Sequence, residues 1–546
     1  MIETIFLYAR TIRFLKPIQL IHRLRRMWPI RHNSLSSVPE VRGSVNALIP
    51  GVPKPSSMVG PNRFKFLNVV DELPDGADWS GAGNSLLWQY NLHYFDWLNA
   101  PADAGRMELN QQFLLRWIRS QPCGSPTSWD PYPTSLRIVN WIKFHHATGL
   151  LDAEALESLA QQGHWLEKHL EWHLLGNHLF VNAKALVAAG CFFDGARARG
   201  WLSKGLEILD RQLAEQLLED GGHFELSPMY HALILEDLLD LLALIKAYQL
   251  PELLSRQERL TSVAQQMLGW LQLMSHPDGG ISFFNDAAFG VSPDVASLTD
   301  YARRLDLKVS EMTLAALKPL PSCGYYRVDH GPFTLITDMA EIGPSYIPGH
   351  GHADCLSFEL SIGDIRVFVN GGTSTYSPGP TRLYERGTRA HNTVMIDGQN
   401  SSEVWASFRV GRRAIPRGVS CRHLGEEIRL EASHDGYRHL SGKPVHHRKW
   451  ICREDQLVIE DTVSSLRHSA EVRYILHPHI SVCEKKPGWF TLSLPDGNAL
   501  NFNLPGGRIE EVYHAPEFGL QLATSAILAS LVDGFCRASL SFCHES

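Results

Sequence analysis

The sequence predicts an α+β multidomain chain in which an N-terminal (α/α) toroid is followed by a C-terminal antiparallel β-sandwich. Three observations carry that prediction. A length of 546 residues exceeds what one compact core supports, so several domains are expected. Apolar spacing is helical up to about Leu317 and alternates after Pro319, which places a boundary near residue 318. Two junctions, D-G-G-H-F-E at 220–225 and D-G-G-I-S-F at 278–283, each put a tight turn and a short extended piece after a helix, as helical hairpins repeating around a ring would.

Residues 1–80 read as an N-terminal helix and a wrapping or linker segment. Up to Arg31 the chain breaks every apolar run with one of seven Arg or Lys residues and offers no small-residue cleavage site. It does not read as a secretory signal, so a cytoplasmic location is expected. Its helical spacing predicts a docking helix, or else a basic amphipathic helix lying on a membrane surface. Residues 34–80, rich in Ser, Pro, Gly and Val, lack periodicity.

The toroid is assigned to residues 81–318. Apolar residues recur at three and four in 133–146, 155–170 and 230–248, with Pro and Gly where helix ends belong. The sandwich is assigned to residues 319–546, where β-rich runs at 332–338, 355–362, 365–370, 391–397, 446–453 and 457–463 are separated by Gly, Asp and Asn.

Composition narrows the function classes. A formal net charge of -7 supplies no basic field for nucleic acid, and no stretch is apolar for long enough to span a membrane. Nine scattered Cys without a C-x-x-C pair argue against a disulfide framework and a thiolate zinc site. The 14 Trp, 15 Tyr and 26 His suit sugar stacking and acid/base work as well as core packing.

Three separated constellations carry chemistry. In G-N-H (176–178), Asn177 and His178 follow a Gly that interrupts a helix, and are either functional or a cap with a structural His. In H-F-E-L-S-P-M-Y-H (223–231), Ser227 and Pro228 read as a helix start, which puts Tyr230 and His231 in the first turn. In P-G-H-G-H-A-D-C-L-S-F (348–358), His350, His352 and Asp354 alternate; an extended segment would turn them to one side, as a metal half-site or a polar loop.

Together with N-A-K (182–184) and A-H-N-T-V-M-I-D-G-Q-N-S-S-E (390–403), these motifs resemble, in sequence and order, the heparinase II/III-like polysaccharide lyases. The resemblance implies a toroid and a sandwich with the active site between them, and β-elimination at a uronic acid. That reaction needs the uronate carboxylate neutralised, the C5 proton removed and the departing O4 protonated. Asn177 and His178 match the neutralising positions, Tyr230 the catalytic tyrosine and His350 the catalytic histidine, with Tyr384 as a second tyrosine. The resemblance leaves open which residue is base and which is acid.

No cofactor is required by that chemistry. Some relatives hold a structural zinc at positions matching His352, Asn370 and His391, but an amide at Asn370 is a poor ligand where the pattern has a carboxylate. The expected partner is an acidic polysaccharide, with stacking or contacts from Trp88, Tyr90, Trp129, Tyr132, Arg137, His231 and Asn285, each of which could equally be core. The resemblance also admits a periplasmic location. Two alternatives stand beside the lyase: a non-catalytic acidic-glycan-binding or exopolysaccharide-assembly protein, and an inverting glycoside hydrolase using carboxylates such as Glu225, Glu236, Asp237 and Asp286.

Overall fold

A computed structural model of the chain describes residues 2–28, 35–60, 62–73, 79, 81, 83–309, 315–465 and 467–542. Helices α1 (Ile2–Ile12) and α2 (Pro17–Arg25) come first, then a three-stranded antiparallel sheet (Met58–Gly60, Arg63–Phe66, Val69–Glu72). The toroid follows: α3 (Leu86–Tyr94), α4 (Ala104–Ser120), α5 (Pro131–Thr148), α6 (Ala153–Lys168), α7 (Gly176–Phe192), α8 (Ala196–Gln216) and α9 (Pro228–Tyr248), then helices Gln257–Leu273 and Val295–Arg304. This is the helical domain the spacing predicts.

Amphipathicity sorts its helices into layers. Every residue of α7 except His178 is buried, as is nearly all of α9. Helices apolar all round belong inside. Helices α6 and α8 keep an exposed polar face and form the outer layer. The two D-G-G junctions fold alike, each closing a small antiparallel bridge, Leu217 with His223 and Ser275 with Ile281. The repeat in the sequence is therefore a repeat in the chain path.

Beyond Leu317 the fold is antiparallel β. Five strands pair in chain order from Leu317–Leu320 to Ile365–Phe368. An eight-stranded sheet and a four-stranded sheet complete the sandwich, and one apolar core, including Phe358, Trp450, Tyr474 and Phe502, fills it. Buried Arg448 ties the layers by donating to Asp461 and to the carbonyls of Leu356 and Asn392.

The N-terminal helices dock on both domains. Arg10 pairs with Glu403 and Trp405 donates to Thr11 at 3.1 Å, while α2 buries Gln19 against the carbonyls of Leu174 and Tyr346. Residues 35–60 run over the toroid, bridging Val41 to Phe193 and hydrogen-bonding Val45 to Ala247. Among the described residues no helix is long and apolar enough to cross a membrane.

Candidate active site

Between toroid and sandwich lies a cleft of about 1860 Å³, and Asn177, His178, Tyr230 and His350 all line it. The first two stand at the start of α7. Leu175 and Gly176 both have positive φ, 67° and 57°, which reverses the chain into the helix. A β-carbon on Gly176 would lie 2.7 Å from Glu225 Oε1, so only glycine fits there. Glu225 accepts from the Asn177 backbone N–H and from its side-chain Nδ2, each at 3.0 Å, which fixes the amide. His178 donates through Nδ1 to Glu171 at 3.1 Å. Burial pulls the His178 pKa down, but the adjacent Glu171 carboxylate outweighs it and holds the imidazole above its ordinary value, favouring the cation.

Tyr230 sits in the first turn of α9, where Ser227 caps the helix by accepting from the Tyr230 N–H at 3.2 Å. Its ring stacks on His350, centroids 3.8 Å apart, and its hydroxyl is 3.0 Å from that of Tyr376. Burial, reinforced by Tyr376, Tyr132 and Asp286, pushes the Tyr230 pKa well above the ordinary phenol value. The phenol therefore keeps its proton at neutral pH.

A buried carboxylate organises the sandwich side. Asp286 Oδ2 accepts from His350 Nδ1 at 2.9 Å and from Arg382 Nη2 at 2.7 Å. Asp286 Oδ1 lies 2.9 Å from His352 Nε2 and also accepts from Arg382 Nη1. Burial alone would raise the Asp286 pKa, but Arg382 and the two imidazoles hold it well below the usual carboxylate range. An ionised, acceptor-only Asp286 fixes a proton on His350 Nδ1, and Nε2 stands 3.6 Å from Glu225. A protonated phenol, an oriented imidazole, a cation-favouring imidazole and a fixed amide thus share one cleft.

Residues 348–357 form a loop that enters the strand Phe358–Ile362, and its polar side chains divide. His350 reaches the cleft, whereas His352 and Asp354 are buried. Asn285 is not in the cleft wall: its Oδ1 accepts from the His352 backbone N–H and its Nδ2 donates to the Leu226 carbonyl, which pins this loop to the toroid. Four more expected contact residues are corrected by burial. Trp88 is 1% exposed and donates to the Val69 carbonyl, and Trp129 donates to the Gln121 carbonyl inside a stack with Trp117. Arg137 is fully buried over Trp117 and donates to Gln162 and the carbonyls of His93 and Ser128. His231 is buried against Trp270, with Nε2 on the Met267 carbonyl. Aromatic rings and guanidinium groups stack on each other in a core as readily as on a sugar.

Tyr90 and Tyr132 do line the cleft, with Tyr90 donating to Asp130 at 2.7 Å. Tyr384 does not. It lies on the helix Pro380–Glu385, outside the cleft wall, and the phenol beside Tyr230 is Tyr376 from the preceding loop. Both tyrosines precede His391 by a short, turn-rich stretch, so spacing alone did not separate them. Arg382, Glu171 and the organising role of Asp286 were also missed, because each acts through a partner distant in sequence.

The residues matching the zinc positions do not fit that ion. His352 Nδ1 and His391 Nε2 approach to 3.1 Å, but the third position is a neutral amide. Asn370 already accepts from the Asn392 N–H and reaches Ser357, and among the described residues no group of three His, Cys, Asp or Glu converges. Two imidazoles and an amide fall short of the donor set a structural zinc takes.

Sequence comparisons extend over both domains. The family descriptions "Heparinase II/III N-terminus" and "Heparinase II/III-like, C-terminal" match residues 77–304 and 312–536. A heparin-sulfate lyase of Pedobacter heparinus is 25% identical over 361 residues, 59% of this chain and 53% of that protein. A heparin-sulfate lyase of Bacteroides thetaiotaomicron is 24% identical over 369 residues, 57% of this chain and 52% of that protein. The matched part thus spans about half the length of these curated relatives. Among solved structures, a heparinase III superposes with a TM-score of 0.69 at 17% identity, covering 86% of this chain and 79% of that one. A heparan sulfate lyase of Pedobacter heparinus superposes with a TM-score of 0.61 at 17% identity, covering 89% and 82%. These superpositions establish a shared fold, and with both domain matches in sequence order the chain belongs to the heparinase II/III-like family.

Proposed function

We propose that the protein is a polysaccharide lyase that cleaves a uronic-acid-containing polysaccharide by β-elimination. The observation that carries this reading is the pairing, across one cleft, of the His178 and Asn177 side with the Tyr230 and His350 side. The names of the curated relatives, heparin-sulfate lyases, support the same class.

In this mechanism the uronate carboxylate meets the cationic His178 and the amide of Asn177. Neutralising that charge lowers the cost of the carbanion that forms when C5 loses its proton. His350 is the base. Its Nδ1–H is held on Asp286, so Nε2 takes the C5 proton. Tyr230, whose burial keeps it protonated, is the acid and gives its proton to the departing O4. The C5–H and C4–O4 bonds break and a C4=C5 double bond forms, with no water consumed. The Tyr376 hydroxyl, 3.0 Å from that of Tyr230, stands within reach to share its proton.

The hydrolase alternative is disfavoured by the carboxylates themselves. Glu236, Asp237 and Asp240 line the cleft but pair with Lys54, Lys184 and Lys143, and Glu225 and Asp286 are engaged as described. Among these five, no two are left as a free acid and base. The test is a panel of heparan sulfate, chondroitin sulfate, hyaluronan and alginate followed by ultraviolet absorbance. A rise on at least one polymer, from an unsaturated uronate, is the expected result; new reducing ends without absorbance would replace the lyase with a hydrolase. Binding of an acidic glycan with neither signal would favour the non-catalytic alternative.

A further inference from the structure

The cleft is bridged by polypeptide on two flanks. On one, α1 and α2 cross from sandwich to toroid. Arg10 donates to Glu403 at 2.6 and 2.8 Å, Arg409 donates to the Tyr8 hydroxyl at 3.0 Å, and the Arg413 guanidinium sits 3.8 Å over Phe14. The next residues grip the toroid: Lys16 pairs with Glu215, Gln19 donates to the Leu174 carbonyl at 3.2 Å and Arg26 contacts His173. The inner face of this strap, including Tyr8, Thr11, Phe14 and Gln19, is cleft wall.

On the other flank, the hairpin of strands Arg63–Phe66 and Val69–Glu72 projects from the toroid, where Phe66 packs on Trp88 of α3 at 5.3 Å. Its turn reaches the sandwich. Asn68 donates to Glu517 at 2.9 Å and to the Phe518 carbonyl at 3.1 Å. Gly519 comes so near that a β-carbon on it would lie 2.0 Å from the Leu67 carbonyl oxygen. Leu67, Asn68 and Phe518 are also cleft wall. The tyrosine–histidine pair therefore lies inside an enclosure walled by strap and hairpin as well as by the two domains.

The enclosure continues inward from the reaction centre. It is lined along α9 from Tyr230 to Asp240, and ten residues of helix correspond to about 15 Å. Lys184, paired with Asp237 and Asp240, stands at that depth. Strap and hairpin each span the two domains beside the cleft, so both obstruct a sugar chain laid across the molecule more than a chain end entering between them.

Resting on the lyase reading above, we propose that the enclosed cleft admits polymer ends only, so that the protein acts exolytically and releases short unsaturated oligosaccharides from chain termini. The strap α1–α2 and the Asn68 turn are the determinants of that mode.

The experiment uses the full chain on heparan sulfate and on alginate, comparing ultraviolet absorbance with viscosity and with fragment sizes at low conversion. Short products should accumulate while viscosity persists, and chains capped at both ends with a bulky fluorophore should lose turnover. A collapse of viscosity ahead of absorbance, or equal rates on capped and uncapped chains, would overturn exolytic action while leaving the lyase intact. No absorbance on any uronate polymer would overturn both. Deleting residues 1–28, with the fold checked by circular dichroism, should shift early products toward mid-chain fragments; an unchanged short-product pattern in the folded deletion would remove the strap from the account. The capped-chain comparison needs no variant and decides the mode if the deletion does not fold.

Discussion

Replacing Asp286 by Asn isolates the carboxylate on which the sandwich side of the site depends. The wild-type oxygens accept from Arg382 twice, from His350 Nδ1 and from Thr373, and face His352 Nε2. Every neighbour of Asp286 Oδ2 is a donor, and Arg382 Nη1 and Thr373 donate to Oδ1, so an amide nitrogen at either place opposes an N–H or O–H. Set at the Oδ2 place, the amide would also force His350 to accept at Nδ1, moving its proton to Nε2 and abolishing the base. Losing a general base costs on the order of 10²–10⁴-fold in kcat. Leaving Arg382 buried without its counter-charge costs about 3–5 kcal/mol of stability. The assay is kcat on the polymer that the panel identifies, with urea unfolding in parallel. The acid limb of stability changes too: Asp286, depressed in the folded state, contributes stability above the ordinary carboxylate range that is lost as pH falls through its folded pKa, and the Asn variant lacks that dependence. A variant with wild-type kcat and an unaltered acid limb would refute the reasoning.

Three further outcomes follow from single contacts. Tyr376→Phe removes the hydroxyl 3.0 Å from Tyr230, and kcat should fall roughly tenfold with KM unchanged, the scale of one hydrogen bond; an unchanged kcat would exclude Tyr376 from proton transfer. Glu171→Gln removes the charge that raises His178, so KM, low while His178 is cationic and rising as pH climbs through its raised pKa, should begin to rise at lower pH than in the wild type; superimposable pH profiles would deny His178 its role. Asn370→Asp supplies a carboxylate beside His352 and His391, and elemental analysis after dialysis should find zinc retained by the variant and not by the wild type; equal zinc in both would show that the amide does not decide the matter.

The fold was legible because its signals are local. The change of apolar period near residue 318 and the recurrent D-G-G turn each survive in one short window, and the two turns close equivalent bridges. The side chains at the starts of α7 and α9 were legible for the same reason, since capping chemistry at Gly176 and Ser227 marks where Asn177 and Tyr230 emerge. What local sequence does not carry is pairing across the fold. Asp286 meets His350 64 residues away and Arg382 96 residues away, and nothing in F-F-N-D-A-A-F-G announces a hub. Arg137 shows the converse: beside Trp129 in the sequence it suits an acidic sugar, yet its guanidinium lies 4.1 Å from the centroid of the Trp117 ring in a dry core. The different fates of His350 and His352 are set by Asp286, which takes one imidazole on each of its oxygens while only His350 reaches the cleft.

In the proposed β-elimination, Tyr230 and His350 transfer the protons. The most direct test is ultraviolet absorbance on the uronate panel with wild type, Tyr230→Phe and His350→Ala, each checked for fold by circular dichroism. A rise is expected with wild type on at least one polymer, and its loss in both folded variants. Either folded variant producing unsaturated uronate at the wild-type rate would contradict it.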